Sequence, residues 1–231
     1  RLRSFLTLSG IAVGIAAVQF LMKDEQTKKK ASSRGLLASL AHISPALRNL
    51  LVSDILIRFA EQIPYAFVVV WVVELNGLSA LQFGVLTTIE MVTAMLVYIP
   101  VAYLADRSTK KPFVLITFCF FTLFPLVLLA SRSFPMLVLA FVIRGLKEFG
   151  EPTRKALIME LAPEDAKALT FGAYYLARDI MVSIAALSSA FLWSVSPATN
   201  FLVATAFGVV GIAVFALFGR DAVRTPQPPR G

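Results

Sequence analysis

Three stretches of this chain, 4–22, 113–131 and 197–219, contain no Asp, Glu, Lys or Arg. Each is close to the roughly 20 apolar residues that a helix needs to cross the hydrocarbon of a bilayer. A water-soluble domain does not produce uncharged runs of that length repeatedly. Four further segments, 49–75, 78–105, 134–162 and 169–195, reach the same length once some internal charge is admitted. Pro64, Pro100, Pro125 and Pro152 fall within these runs. Membrane helices tolerate such prolines where neighbouring groups satisfy the freed carbonyls. The expectation is an all-α integral membrane protein with seven transmembrane helices. The composition agrees, with 58% hydrophobic and 16% charged residues and a mean hydropathy of +0.77.

The formal net charge of +8 does not point to nucleic acid, because the basic residues gather in alternate connections. Lys23, Lys28, Lys29, Lys30, Arg34 and Arg48 flank the first long loop. Arg107, Lys110 and Lys111 occupy another connection, Arg154, Lys155 and Lys167 surround a third, and Arg220, Arg224 and Arg230 lie in the tail. The connections between them hold few basic residues. The positive-inside rule then places the basic loops and the C-terminus in the cytoplasm, with the plasma or inner membrane as the host bilayer.

Four regions are expected: a first transmembrane helix over 1–22, a basic cytoplasmic linker over 23–48 with an interfacial helix within 31–43, a six-helix bundle over 49–219, and a disordered Pro-rich tail over 220–231. Arg1–Ser4 and the apolar run behind it resemble the start of a signal peptide, but no small-residue cleavage site follows, and the basic cluster suits a stop-transfer helix better. A start at Arg is the mark of a fragment, a processed chain or a truncated record.

Enzymatic chemistry finds no support. Cys119 is the only cysteine and lies in an apolar run, so it reads as a buried or lipid-facing thiol. His42 is the only histidine and sits in the linker, where a solvated or packed role is the expectation. There is no metal-ligand cluster, glycine-rich phosphate loop or nucleophile–base pair, so no metal, cofactor or catalytic residue is expected.

The functional signal is charge inside the spans. Arg144, Lys147/Glu148, Glu151 and Arg154/Lys155 step by three or four, as do Asp54, Arg58 and Glu61, so each set shares a helix face. At about 1.5 Å per residue, Arg58 and Glu61 lie some 13–18 Å deep, Glu90 about 18 Å, Arg144 about 15 Å, Lys147 and Glu148 about 20 Å, and Arg178 and Asp179 about 15 Å. Arg58, Arg144, Lys147 and Arg178 are thus opposed by Glu61, Glu90, Glu148 and Asp179 in one layer. Asp54 is shallower and Glu151 intermediate. Arg154 and Lys155 are expected near the inner surface, serving topology. Ionisable residues at this depth face a polar interior and usually carry function. The layer is either an ion-pair lock between helices or a pathway for a small solute, with a proton as one candidate coupling ion.

Leu104-Ala105-Asp106-Arg107-Ser108-Thr109-Lys110-Lys111 resembles the signature loop of the major facilitator superfamily, a Gly-x-Leu-Ala-Asp-Arg-x-Gly-Arg-Lys pattern. Ala102 stands at the first glycine and Thr109 at the second. Arg144-Gly145-Leu146-Lys147-Glu148-Phe149-Gly150-Glu151-Pro152 resembles the Arg- and Gly-bearing motif of a repeat's first helix. The resemblance implies the C-terminal half of a secondary transporter, its sixth to twelfth helices, with six of them forming a half bundle of two inverted three-helix repeats. It further implies alternating access around a midplane site built from the charged layer. The partners implied are the lipid bilayer, a small-molecule solute, protons as a coupling ion, and an N-terminal half or a second copy. Asp106, Arg107, Lys110 and Lys111 would hold the loop at the anionic inner leaflet. A membrane scaffold with a structural ion-pair layer is the alternative.

Overall fold

A computed structural model of the chain describes residues 43–105 and 109–221. The expected first span, His42, most of the linker, Asp106, Arg107 and the tail from 222 onward lie outside the described residues.

Helices make up every element among the described residues. Helix α1 spans Pro45–Tyr65. Its start follows from local chemistry: the Ser44 hydroxyl accepts the Leu47 N–H at 3.2 Å, and Pro45 occupies the first turn, where its missing N–H is no loss. A short helix α2, Phe67–Val70, and a π-helical turn, Trp71–Leu75, continue α1 after a bend of 44°. Asn76 ends this stretch by donating from its side chain to Trp71 O at 2.8 Å. Gly77 then turns the chain with φ at +70°, a conformation open chiefly to glycine.

Helix α3 spans Ala80–Ala105. Ser79 and Gln82 cap it reciprocally: the Gln82 amide oxygen accepts the Ser79 N–H at 2.9 Å, and the Ser79 hydroxyl accepts the Gln82 N–H at 3.2 Å. Helix α4 follows over Lys111–Ala130, α5 over Phe134–Leu146, α6 over Glu151–Leu161, α7 over Lys167–Val195 and α8 over Pro197–Phe218. Four helical stretches, Ala80–Tyr98, Lys111–Ala130, Glu164–Val195 and Pro197–Phe218, are long and apolar enough to cross a membrane. The bent pair Pro45–Tyr65 and Phe67–Leu75 makes a fifth.

The fifth expected segment in chain order, 134–162, is not one continuous helix. It breaks into α5, a 3-10 turn over Lys147–Gly150, and α6. Pro152 has no N–H to return to Glu148 O, and the Glu151 N–H takes that carbonyl instead, which tightens the turn. Pro100 and Pro125, by contrast, stay inside α3 and α4. Pro64 stays inside α1, whose bend comes just after it. There the Ser189 hydroxyl donates to Ile63 O, and the Asn200 amide donates to the same carbonyl at 3.4 Å and to Ser189 O at 3.1 Å. Side chains from α7 and α8 thus supply the polar partners that a bent helix cannot provide within lipid.

Helix α8 packs along α1 and α4, α7 along α1, and α3 along α5. Two large apolar clusters result, beside a smaller one of Ile63, Ala185 and Ala204. One joins Leu50, Ile57, Phe118, Phe121, Leu157, Tyr174 and Phe215; the other joins Val72, Leu86, Phe124, Leu128, Phe141 and Phe201. Phe121 and Phe124 are adjacent on α4, so the clusters meet there, and the charged side chains occupy the level between them.

Lys110 and Lys111 tie the start of α4 to distant elements. Their backbone N–H groups donate to one Asp221 oxygen at 2.9 and 2.7 Å, a carboxylate cap supplied from beyond α8. Lys110 Nζ pairs with Glu160 at 2.7 Å, and Lys111 Nζ donates to Ala216 O at 2.8 Å.

Candidate functional site: a paired charge layer beside an open cleft

Helix α1 presents Asp54, Arg58 and Glu61 on one face, four and then three residues apart. The broken segment opposite presents Arg144, Lys147, Glu151 and Arg154. Lys147 Nζ donates to Glu61 Oε1 at 2.6 Å, and Arg58 Nη1 donates to Glu61 Oε2 at 2.7 Å. Arg58 Nη2 reaches Glu151 Oε1 at 2.5 Å. Arg154 grips Glu151 through Nη2 at 2.8 Å and Nε at 3.2 Å, and reaches Asp54 Oδ2 through Nη1 at 2.5 Å. The Tyr174 hydroxyl donates to that Asp54 oxygen at 3.0 Å. A continuous chain therefore runs Lys147–Glu61–Arg58–Glu151–Arg154–Asp54–Tyr174.

Two further pairs flank it. Arg144 Nη1 meets Glu90 Oε2 at 3.1 Å, with its guanidinium facing Phe124 at 5.3 Å, Phe141 at 5.6 Å and Tyr65 at 5.8 Å. Arg178 stacks on Tyr175 at 4.1 Å, lies 3.9 Å from Asp54 and bonds the neighbouring Asp179 at 2.7 Å. Phe121 carries Arg58 at 5.0 Å and Lys147 at 5.6 Å on its ring. These stacked cations gain attraction from the ring faces where water is scarce.

The aggregate charge balances. Arg58, Arg144, Lys147, Arg154 and Arg178 are met by Asp54, Glu61, Glu90, Glu151 and Asp179. Balance of this kind is what desolvated charges require. Glu148 is the remaining carboxylate. It makes no ion pair or hydrogen bond among the described residues, and it lines an open cleft of about 420 Å³ with Glu90, Met91, Met95, Tyr98 and Lys147. A second cleft of about 520 Å³ shares Glu90, Met91 and Lys147 and extends past Thr87 to Phe83. A third, about 500 Å³, lies between α1 and α7 beside Gln62, Asp179 and Ser183. Among the described residues no group of three or more His, Cys, Asp or Glu could hold a metal ion.

Of the expected layer, Arg58, Glu61 and Lys147 come together directly, and Arg144 finds Glu90. Glu148 shares the cleft wall with Glu90 and Lys147, without an ion pair or hydrogen bond to any residue of the layer. Asp179 touches Arg178, but its side chain is 61% exposed, so it borders the layer from outside. The largest departure from expectation is Arg154, which is 1% exposed and joins the network through Asp54 and Glu151; Lys155 beside it is exposed. Its main partner Asp54 is the shallower acid of α1, so Arg154 extends the network toward the end of α1 that carries Asp54. Asp54, Glu151 and Tyr174 enter with it. The signal available in sequence was the i, i+3 pairing of Glu151 with Arg154 on the face that also carries Lys147 and Glu148.

Close packing holds the break in place. A Cβ on Gly145 would lie 2.6 Å from Glu90 O, and one on Gly150 would lie 2.5 Å from Phe113 O. The Gly150 N–H donates to the Thr117 hydroxyl at 2.5 Å.

Helices of membrane length, gathered around a paired charge layer with clefts opening onto it, define an integral membrane protein of the transporter class. The chain belongs to the Major Facilitator Superfamily, whose family profile matches residues 50–231. No curated protein matches it in sequence. Its fold is similar to a crystal structure of a bacterial homolog to the human lysosomal transporter Spinster, in an inward-facing and unoccupied conformation. The TM-score is 0.60 at 18% identity, over 87% of this chain and 46% of that one. The chain therefore spans about half the length of the transporter it resembles. Membership sets it among membrane transporters rather than enzymes.

Proposed function

We propose that the chain forms one six-helix half, with one preceding helix over 1–22, of a secondary transporter that moves a small solute by alternating access. The observation that carries this reading is Glu148, a carboxylate without an ion-pair partner among the described residues, facing a cleft at the edge of a layer whose other charges are paired. A purely structural layer has no need of the extra charge. Arg58, Glu61, Glu90, Arg144, Lys147, Arg178 and Asp179 line or support the path, and a proton is the coupling ion its carboxylates suit. The exposed apolar faces of α3 (Leu81, Met95, Leu96) and α7 (Leu187, Phe191, Val195) fit a second bundle, either an N-terminal half or another copy. The distribution of basic residues supports a plasma or inner membrane location with the C-terminus in the cytoplasm.

The test is uptake by the complete protein in liposomes, with and without a pH gradient, alongside Glu61→Gln and Glu148→Gln. Transport that is lost in Glu148→Gln while the fold is retained supports the pathway. The chain alone, as a monomer, is expected not to transport, and uptake by it would overturn the half-transporter reading. The scaffold alternative draws on a different observation: Asp54, Arg154 and Tyr174 are buried and line none of the three clefts described above. Activity that survives both substitutions while stability falls would favour it.

A further inference from the structure

We propose that the cleft between α3 and the α5–α6 break is a binding site for an organic cation with an apolar body, held by Glu148. This rests on the reading of the cleft as part of a solute path. Lys147, the cation that lines the cleft, is bonded to Glu61 at 2.6 Å, and Glu90 on the cleft wall is met from behind by Arg144 at 3.1 Å. Among the described residues Glu148 is left over, and the lining, with Glu90 and Glu148 against Lys147, carries one formal negative charge. Its other walls are Met91, Met95 and Tyr98, which are exposed to it and polarisable. Thioethers accommodate irregular apolar surfaces, and an aromatic face attracts a desolvated cation. At about 420 Å³ the cleft falls within the range that holds a small organic ligand. An anionic solute would meet the free Glu148 carboxylate without a free cation to offset it. A strongly hydrated inorganic cation would find one carboxylate and no cage of oxygens. The chemistry that satisfies both charge and walls is a weakly hydrated ammonium or phosphonium on an apolar frame.

Two probes of matched shape and opposite charge test this: tetraphenylphosphonium and tetraphenylborate, titrated against the purified chain in lipid-free detergent. Tetraphenylphosphonium is expected to bind, and Glu148→Gln to weaken it by about tenfold or more. Glu148→Asp should retain most of the binding. Tyr98→Leu should weaken it by a smaller factor. An unchanged melting temperature establishes that each variant is folded. Tetraphenylborate binding equal to that of the phosphonium would overturn the proposal. So would binding that Glu148→Gln leaves within about twofold, or the absence of phosphonium binding. Adding phosphatidylcholine or phosphatidylglycerol identifies the source of the cation. Competition by the choline lipid alone assigns the site to a headgroup, and competition by neither assigns it to a free solute; both support cation recognition. Binding without uptake by the complete protein would leave the site standing and remove the transporter reading.

Discussion

The charge layer has two ends built from the same residue types, and they differ in how completely they are closed. At one end Asp54, Glu151, Arg154 and Tyr174 are buried against each other, Arg154 reaches two carboxylates with three nitrogens, and Asp54 Oδ1, without a hydrogen bond, faces Arg58 Nε at 3.8 Å. At the other end Glu90, Arg144 and Lys147 pair along the wall of a cleft, and Glu148 faces the cleft without a partner. A guanidinium fork spans two acids with fixed geometry, which suits a lock. A cleft-facing carboxylate leaves its lone pairs to whatever enters. The same buried charge can therefore hold helices together or wait for a ligand, depending on whether its last partner comes from the protein.

That contrast is sharpest at Arg154. Arg154→Met would leave Asp54 and Glu151 without their main cation, and a loss of about 3–5 kcal/mol is expected in denaturant or thermal unfolding. A loss below about 1 kcal/mol would show that the closed end is not a lock. Gly150→Ala probes the hinge between the two ends. Its Cβ would press on Phe113 O and the Thr117 hydroxyl, so a cost of roughly 1–3 kcal/mol is expected, with an altered cleft reported by probe binding. Asp221→Ala removes the carboxylate cap of α4, away from both ends, and should lower stability by about 0.5–2 kcal/mol without changing binding. Glu148→Gln stands at the bottom of this scale. With no protein partner to lose, its stability should stay within about 0.5 kcal/mol while binding or transport falls. A large destabilisation by Glu148→Gln would erase the difference between the ends.

Much of the fold was legible in the pattern of residues. Uncharged runs marked α4 and α8, and charged but mostly apolar runs marked α1, α3 and α7. The i, i+4, i+7 spacing of Asp54, Arg58 and Glu61 named the face of α1 that carries charge. The segment over 134–162 was the exception. It reads as one helix by composition, yet Gly145, Gly150 and Pro152 lie within eight positions of each other and the chain tightens between them. The pairing of Arg154 with Asp54 and Glu151 was not legible there, because depth along one helix says nothing of which acid faces it.

The division has a physical basis. Hydropathy is local and additive, so a single run of residues suffices to establish that a helix belongs in a membrane and which face is charged. Pairing is not local. Lys147 meets Glu61 across 86 positions, Arg58 meets Glu151 across 93, and Arg154 meets Asp54 across 100. Which carboxylate is satisfied, and that Glu148 is the one left facing a cleft, depends on where the helices lie against one another and on the break that turns α6 inward.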